Sequence, residues 1–578
     1  MRKFWGYAFL IILISIVSLN HKRSYGKMAD TPATVGTPAV IATFGGYNDQ
    51  RDIDYFPQVA YDSLNQRFLV IWLTPRNVSI TNTRFDVYGI FLEQNGLPAS
   101  SPFQISDTNS VARNGAPAIA AGNGEFVVVW TNDASTCQLV MQKVTDSSAQ
   151  TDQLIPLGGG THLHSPDLVY NPTTGHYVVA YAAGDDYLPP AIFGANINDI
   201  ADCGNNQVSS SEIKVSEFHF DGNLLSVDKT MTISAQAVGA FRPKLAYDST
   251  QNAYFALWED RRNAGGNGYH FAVYGQALSA DLANSLENIE LHNNSSYDNG
   301  DNSAVWTPRP AIVAGNGQFL ATWFEQAKST NTTTWSVQGR FVSIAAVSNQ
   351  FLISRMTYMQ SHTGNAPAGF LMNGFATQGQ EFLIALSSHS ESPTGYLSSV
   401  RVQRIDADGQ LLRLDGSQRS TATIGDKIDL VLDTQLMPSL ISYEHGTGQH
   451  YLIVYSKHAP DKHMQDFDIW SNQIVLNTPP THTPTIPVTP TATATRATTP
   501  TPKVSPTATK TVSSATPVIT LTPPESATPS PTATPTIPAG SNEITPTATK
   551  TVASATPAIT LTPSETPSRQ QYLPLIVR

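Results

Sequence analysis

The feature that most restricts the fold is a unit that returns seven times along the chain. Each copy opens on a proline, runs through a short apolar strand, turns, and continues as a second apolar strand. In the clear copies that second strand ends on an aromatic residue. These start at Pro57 (PQVAYDSLNQRFLVIW, to Trp72), Pro117 (to Trp130), Pro166 (to Tyr181), Pro243 (PKLAYDSTQNAYFALW, to Trp258) and Pro310 (to Trp323). Weaker copies start at Pro367, reaching Leu386, and at Pro438, reaching Tyr455. Spacings of 49 to 77 residues leave room in each copy for two further strands, such as Phe85–Leu92 and the one opening at Phe103. The third and fourth strands are joined by Asn95-Gly96, Asp221-Gly222 and Asp408-Gly409, dipeptides that accept the positive φ of a tight hairpin.

The second strands are continuous apolar runs rather than alternating ones, so both of their faces must be buried between neighbouring sheets. Proline at the first residue of a strand removes no ladder bond. No long amphipathic helix interrupts the pattern. Four short strands repeated radially make a β-propeller. The expected fold is therefore all-β, a propeller of seven four-stranded blades. The last copy supplies only three strands, the third over Phe467–Val475, while a lone strand, Ala39–Phe44, precedes the first copy. Strand 39–44 is expected to complete the seventh sheet and lock the ring. Six blades, with the Pro367 copy irregular, and a β-sandwich array are the alternatives.

Segments 57–92 and 243–278 share Pro-x-(Val/Leu)-Ala-Tyr-Asp, an apolar strand ending in Trp, and then Tyr-Gly. In this the chain resembles secreted bacterial β-propeller repeat proteins. The motif marks packing, so the resemblance implies an architecture and no single activity. Residues 478–568 hold 29 Thr and 19 Pro with no aromatic residue, and the stretch Pro506–Pro523 recurs as Pro546–Pro563. Such a block cannot bury enough apolar surface to fold and reads as a disordered stalk. Together with the short apolar tail 569–578, which contains Tyr572-Leu573-Pro574-Leu575, it is similar to the stalks and tails of secreted bacterial proteins.

At the other end, Met1-Arg2-Lys3 precedes an uncharged run, Phe4–Leu19. Residues 1–29 read as a signal peptide, with an uncleaved N-terminal anchor as the alternative. The propeller domain is then 30–477, with 23 basic against 42 acidic residues. A domain this acidic repels phosphate backbones, which excludes nucleic acid as a partner. Membrane contact is expected only through the N-terminal segment, if it is retained. Cys137 and Cys203 are too few for a disulfide scaffold or a cysteine zinc site. In an exported protein they are candidates for one disulfide across neighbouring blades, with two separate buried thiols as the alternative.

Propellers place their sites on the face built by the loops between blades and between second and third strands. The ligand-binding candidates there are Arg242, Glu259, Asp260, Arg261, Trp306 and Arg309. The densest run, Trp258-Glu259-Asp260-Arg261-Arg262, reads either as a carboxylate–guanidinium pair facing a ligand or as a pair that ties its own turn. Arg242 and Arg309 each precede a first-strand proline and, with Arg51 or Arg113, form a set able to converge as the arginines of sialidases do. The Ser-x-Asp-x-Gly-x-Thr-Trp boxes of sialidases are absent, however, and Phe241-Arg242-Pro243 lacks the Ile of their Phe-Arg-Ile-Pro. His162-x-His164 and Asp185-Asp186 read as metal ligands or as solvated loop residues. No EF-hand, HExxH, P-loop or GxSxG pattern occurs. Ca²⁺ is the one cofactor that the acidic composition suggests.

These readings lead to a secreted or cell-surface protein that presents its loop face to glycans or proteins without catalysis. The alternative is an extracellular carbohydrate-active enzyme, a glycoside hydrolase or lyase with two carboxylates across one pocket.

Overall fold

A computed structural model describes residues 33–43, 55–77, 84–106, 114–133, 137–147, 153–154, 162–184, 211–234, 239–262, 272–283, 287–293, 309–315, 317–328, 332–359, 372–376, 381–392, 395–419, 425–428, 435–445, 449–458 and 467–476. Among these, every regular element is a β-strand, and the strands form seven antiparallel sheets. Each sheet is a meander with its first strand at one edge. The fourth blade is typical, running Ala240–Asp248, Ala253–Asp260, Ala272–Ser279 and Ile289–Asn293 in spatial order. The weak copy behind Pro367 is also a blade, with strands Met372–Ala376, Glu381–Ser392 and Gly395–Asp406. Its outer edge is made of two short pieces, Leu411–Leu412 and Asp426–Lys427. The six-blade alternative therefore falls.

The ring is closed by the start of the chain. Gln435–Glu444, Gln449–His458 and Phe467–Leu476 supply three strands of blade seven. Ala39–Ala42 pairs with the last of these through Ala39↔Ser471 and Val40↔Trp470. Ala33–Val35 continues along the same strand through Ala33↔Leu476. The closing strand is thus longer than the 39–44 stretch expected and comes in two pieces; Phe44 lies outside the described residues.

Seven buried apolar clusters, each between two adjacent blades, replace the single inter-sheet core that a sandwich would have. Between blades three and four, Val178, Ala180 and Ile213 meet Leu245, Tyr254 and Trp258. Between blades seven and one, Leu452, Val454 and Ile469 meet Val70, Trp72 and Ile90, which is the contact that completes the circle. The aromatics expected to end the second strands, Trp72, Trp130, Tyr181, Trp258, Trp323 and Tyr455, are all buried, and each strand runs two to five residues beyond them. Polar links follow the repeat too. Asp248 accepts backbone N–H bonds from Thr250 and Gln251 in its own turn and from Gly317 in the next blade. The Gly of Tyr-Gly is required by close approach: a Cβ on Gly275 would lie 2.5 Å from a Phe255 ring carbon.

One backbone irregularity positions the site. The ladder between first and second strands slips at the proline, between Tyr55 and Gln58, His164 and Asp167, and Phe241 and Lys244. The residue before the proline is left-handed in four blades: Phe56 (φ 54°), Ser165 (53°), Arg242 (44°) and Arg309 (43°). Proline disfavours the right-handed helical region for its predecessor, and a bulge re-aims the side chain it carries. Left-handed non-glycine residues cost about 1–3 kcal/mol each and persist only where the surroundings over-determine them. Here the packed repeat does so, and in blades four and five the residue displayed is arginine.

Candidate functional site

Arg242 and Arg309 occupy equivalent positions on adjacent blades, and both reach one carboxylate, Glu259. This residue lies near the end of the second strand of blade four, across the ladder from Phe241. Its side chain is fully buried. One oxygen, Oε2, accepts from the Arg242 guanidinium at 3.3 Å. The other, Oε1, accepts the Arg309 backbone N–H at 2.8 Å. Glu259 therefore joins two blades. Burial pulls the Arg309 guanidinium down to about 9; the like charge of Arg242 adds to this, and Glu259 opposes it. It stays protonated at neutral pH. The arrangement sets two arginines, both at left-handed backbone positions, around one buried carboxylate. Chemically it favours an anion, because guanidinium forks match carboxylates in geometry and charge.

Asp260, the neighbour of Glu259, is used differently. It accepts the Trp258 indole N–H at 2.8 Å and two guanidinium bonds from Arg262, at 2.9 and 2.6 Å. Arg262 also lies over the Tyr274 ring at 4.0 Å and donates to Asn288 at 3.0 Å. Asp260–Arg262 matches the turn-tying reading of the sequence, while Glu259 pairs with Arg242 within blade four and bonds Arg309 of blade five. The backbone N–H of Arg261 donates to the Gly239 carbonyl at 3.0 Å, on the approach to the first strand.

His164 lies in a strand, Leu163–Asn171, rather than the loop expected, and its Nδ1 is 3.2 Å from the Ser165 hydroxyl. His162 accepts the backbone N–H of Cys137 at 3.2 Å, linking blades two and three. Cys137 is buried and disulfide-bonded. Trp306, Arg51, Arg113, Asp185, Asp186 and Cys203 lie outside the described residues. Among the described residues, the group able to hold a metal ion is one that the sequence did not suggest: His176, His219 and Asp228, in blade three. Only the pairing register brings these three strands' residues together.

No family model matches this chain, and no curated protein does. Solved structures similar to it include an α-L-arabinanase of Penicillium chrysogenum, 14% identical, covering 63% of this chain and 94% of that one with a TM-score of 0.36. An α-L-arabinofuranosidase of Fusarium graminearum is 13% identical, with coverage of 64% and 96% and a TM-score of 0.38. A sialidase of Streptococcus pneumoniae is 10% identical, with coverage of 76% and 70% and a TM-score of 0.38. These neighbours are glycoside hydrolases. None of these three is named as a non-catalytic binding protein, so that expectation is withdrawn, and its alternative, a carbohydrate-active enzyme, is taken up below as a proposal.

Proposed function

We propose that this protein is a carbohydrate-active enzyme acting on an anionic glycan, one whose sugars carry carboxylates. The observation that supports it is the Arg242–Glu259–Arg309 corner. Two arginines at equivalent pre-proline positions meet at a single buried carboxylate, Arg242 through its guanidinium and Arg309 through its backbone N–H. In this reading Arg242 and Arg309 hold the substrate's carboxylate, and Glu259 positions them without touching substrate. The apolar run Phe4–Leu19, the Thr/Pro-rich block 478–568 and the tail 569–578 support export and a stalk that carries the propeller outside the cell. A Cys137–Cys203 bridge is part of the same proposal and fits an oxidising location.

The test is release of reducing ends by the full chain from matched acidic and carboxyl-reduced polysaccharides. Cleavage of the acidic forms, with KM raised in Arg309→Met and only partly restored in Arg309→Lys, is the expected result. Lysine keeps the charge and loses the fork. No release from either set would overturn the enzyme reading, and equal release from both would overturn the anionic substrate.

A further inference from the structure

Blade three carries a second cluster at the opposite end of its strands, beside the turns that join strands one to two and three to four. His176 opens the second strand, His176–Ala183. Glu217 and His219 lie two apart, and so on one face, in the third strand, Glu212–Asp221. Asp228 lies in the outer strand, Leu224–Thr232. The register pairs Glu217 with Lys229 and Phe218 with Val227, so Asp228 is the extra residue of a bulge. That bulge sets its carboxylate against the two histidines. The imidazoles stack at 4.9 Å with 18° between their planes. His219 Nδ1 is 2.7 Å from Asp228 Oδ2, and His176 Nδ1 is 3.5 Å from the same oxygen and 3.1 Å from Glu217 Oε1.

From this geometry we infer a binding site for a divalent cation of the zinc class, with His176, His219 and Asp228 as ligands and Glu217 as the fourth. One ligand atom from each of the first three lies within 4.8 Å of the others. Tetrahedral zinc with bonds of about 2.1 Å needs ligand atoms roughly 3.4 Å apart, so the 2.7 Å pair must open and any wider pair must close by about 1 Å. Two neutral imidazoles and two carboxylates sum to a charge of minus two, matching the cation. The mixed nitrogen and oxygen donors select a borderline ion over Ca²⁺, which prefers oxygen alone. A bound ion would tie the three outer strands of blade three together at an exposed sheet edge, independently of the activity proposed above.

The experiment is a titration of the metal-stripped full chain with Co²⁺, followed by competition with Zn²⁺ and a parallel Ca²⁺ arm. One equivalent of Co²⁺ should give the intense visible spectrum of a tetrahedral site, should be displaced by Zn²⁺, and should raise the melting temperature. His219→Ala and Asp228→Asn alter exposed or half-exposed side chains, so both variants should remain folded. Each should weaken binding by more than about tenfold, the lower end of the cost of losing even an orienting partner. Failure to bind Co²⁺, a spectrum that survives both substitutions, or an equal thermal response to Ca²⁺ would overturn the site.

Discussion

Blades three and four each gather charged groups at one end of their strands, and the two clusters are built differently. In blade four the carboxylate is buried and takes an arginine from each of two blades, one through its guanidinium and one through its backbone N–H. In blade three the carboxylates stand with two stacked imidazoles at a half-exposed edge, so that cluster seeks a cation. Each includes a slip in a ladder, between Phe241 and Lys244 in blade four and between Glu217 and Phe218 in blade three. A bulge costs one unpaired residue and turns one side chain, and burial then decides what that side chain is worth.

The sharpest way to break the contrast is to remove the buried member. Glu259→Ala leaves Arg242 without its buried carboxylate, and losing one partner of a buried pair costs about 3–5 kcal/mol. Urea unfolding of the variant should show a fall of that size; a loss under about 1 kcal/mol would mean that the pair behaves as a surface one.

A next, slightly smaller effect separates two kinds of histidine. His292, in the outer strand of blade four, stacks on Trp323 of blade five at 5.5 Å. Burial lowers its pKa from 6.5 to about 4, with Arg340 adding to the shift and Glu290 opposing it. Since the unfolded imidazole binds the proton more readily, this contribution is whole above about pH 6.5 and is lost as pH falls toward 4. The gap corresponds to roughly 3 kcal/mol. His292→Gln should flatten stability over that window, as read from unfolding curves at stepped pH; an unchanged slope would refute the assignment.

The smallest effect is expected at the blade-three edge. In metal-free buffer His219→Ala should change stability by no more than about 1 kcal/mol, because its contact with Asp228 is half-exposed. Only added Zn²⁺ should separate the variant from the parent, as a difference in melting temperature.

Much of the fold was legible because the repeat is a packing code. Apolar second strands, Asp at the end of Ala-Tyr-Asp and Gly after Tyr each answer to a contact: adjacent-blade cores, the Asp248 turn that docks Gly317, and the space that Gly275 leaves for Phe255. The Pro367 copy was harder to read, because its outer edge is divided between Leu411–Leu412 and Asp426–Lys427. Of the candidate site, the sequence marked Arg242, Glu259 and Arg309 by their places in the repeat. It did not separate Glu259 from Asp260, which are neighbours of the same charge. One turns to the next blade and the other is taken up by Trp258 and Arg262.

The sequence alone determined the all-β repeat, most strands within each copy and the position where arginine stands before proline, because these follow from local periodicity and backbone preference, whereas the choice of seven blades over six needed the structure. Which charges meet was decided by the tertiary structure. Glu259 finds Arg309, 50 residues on, and His176 finds Asp228 across two ladders. Strand register and ring closure set those distances, and neither is encoded in the spacing of any one motif.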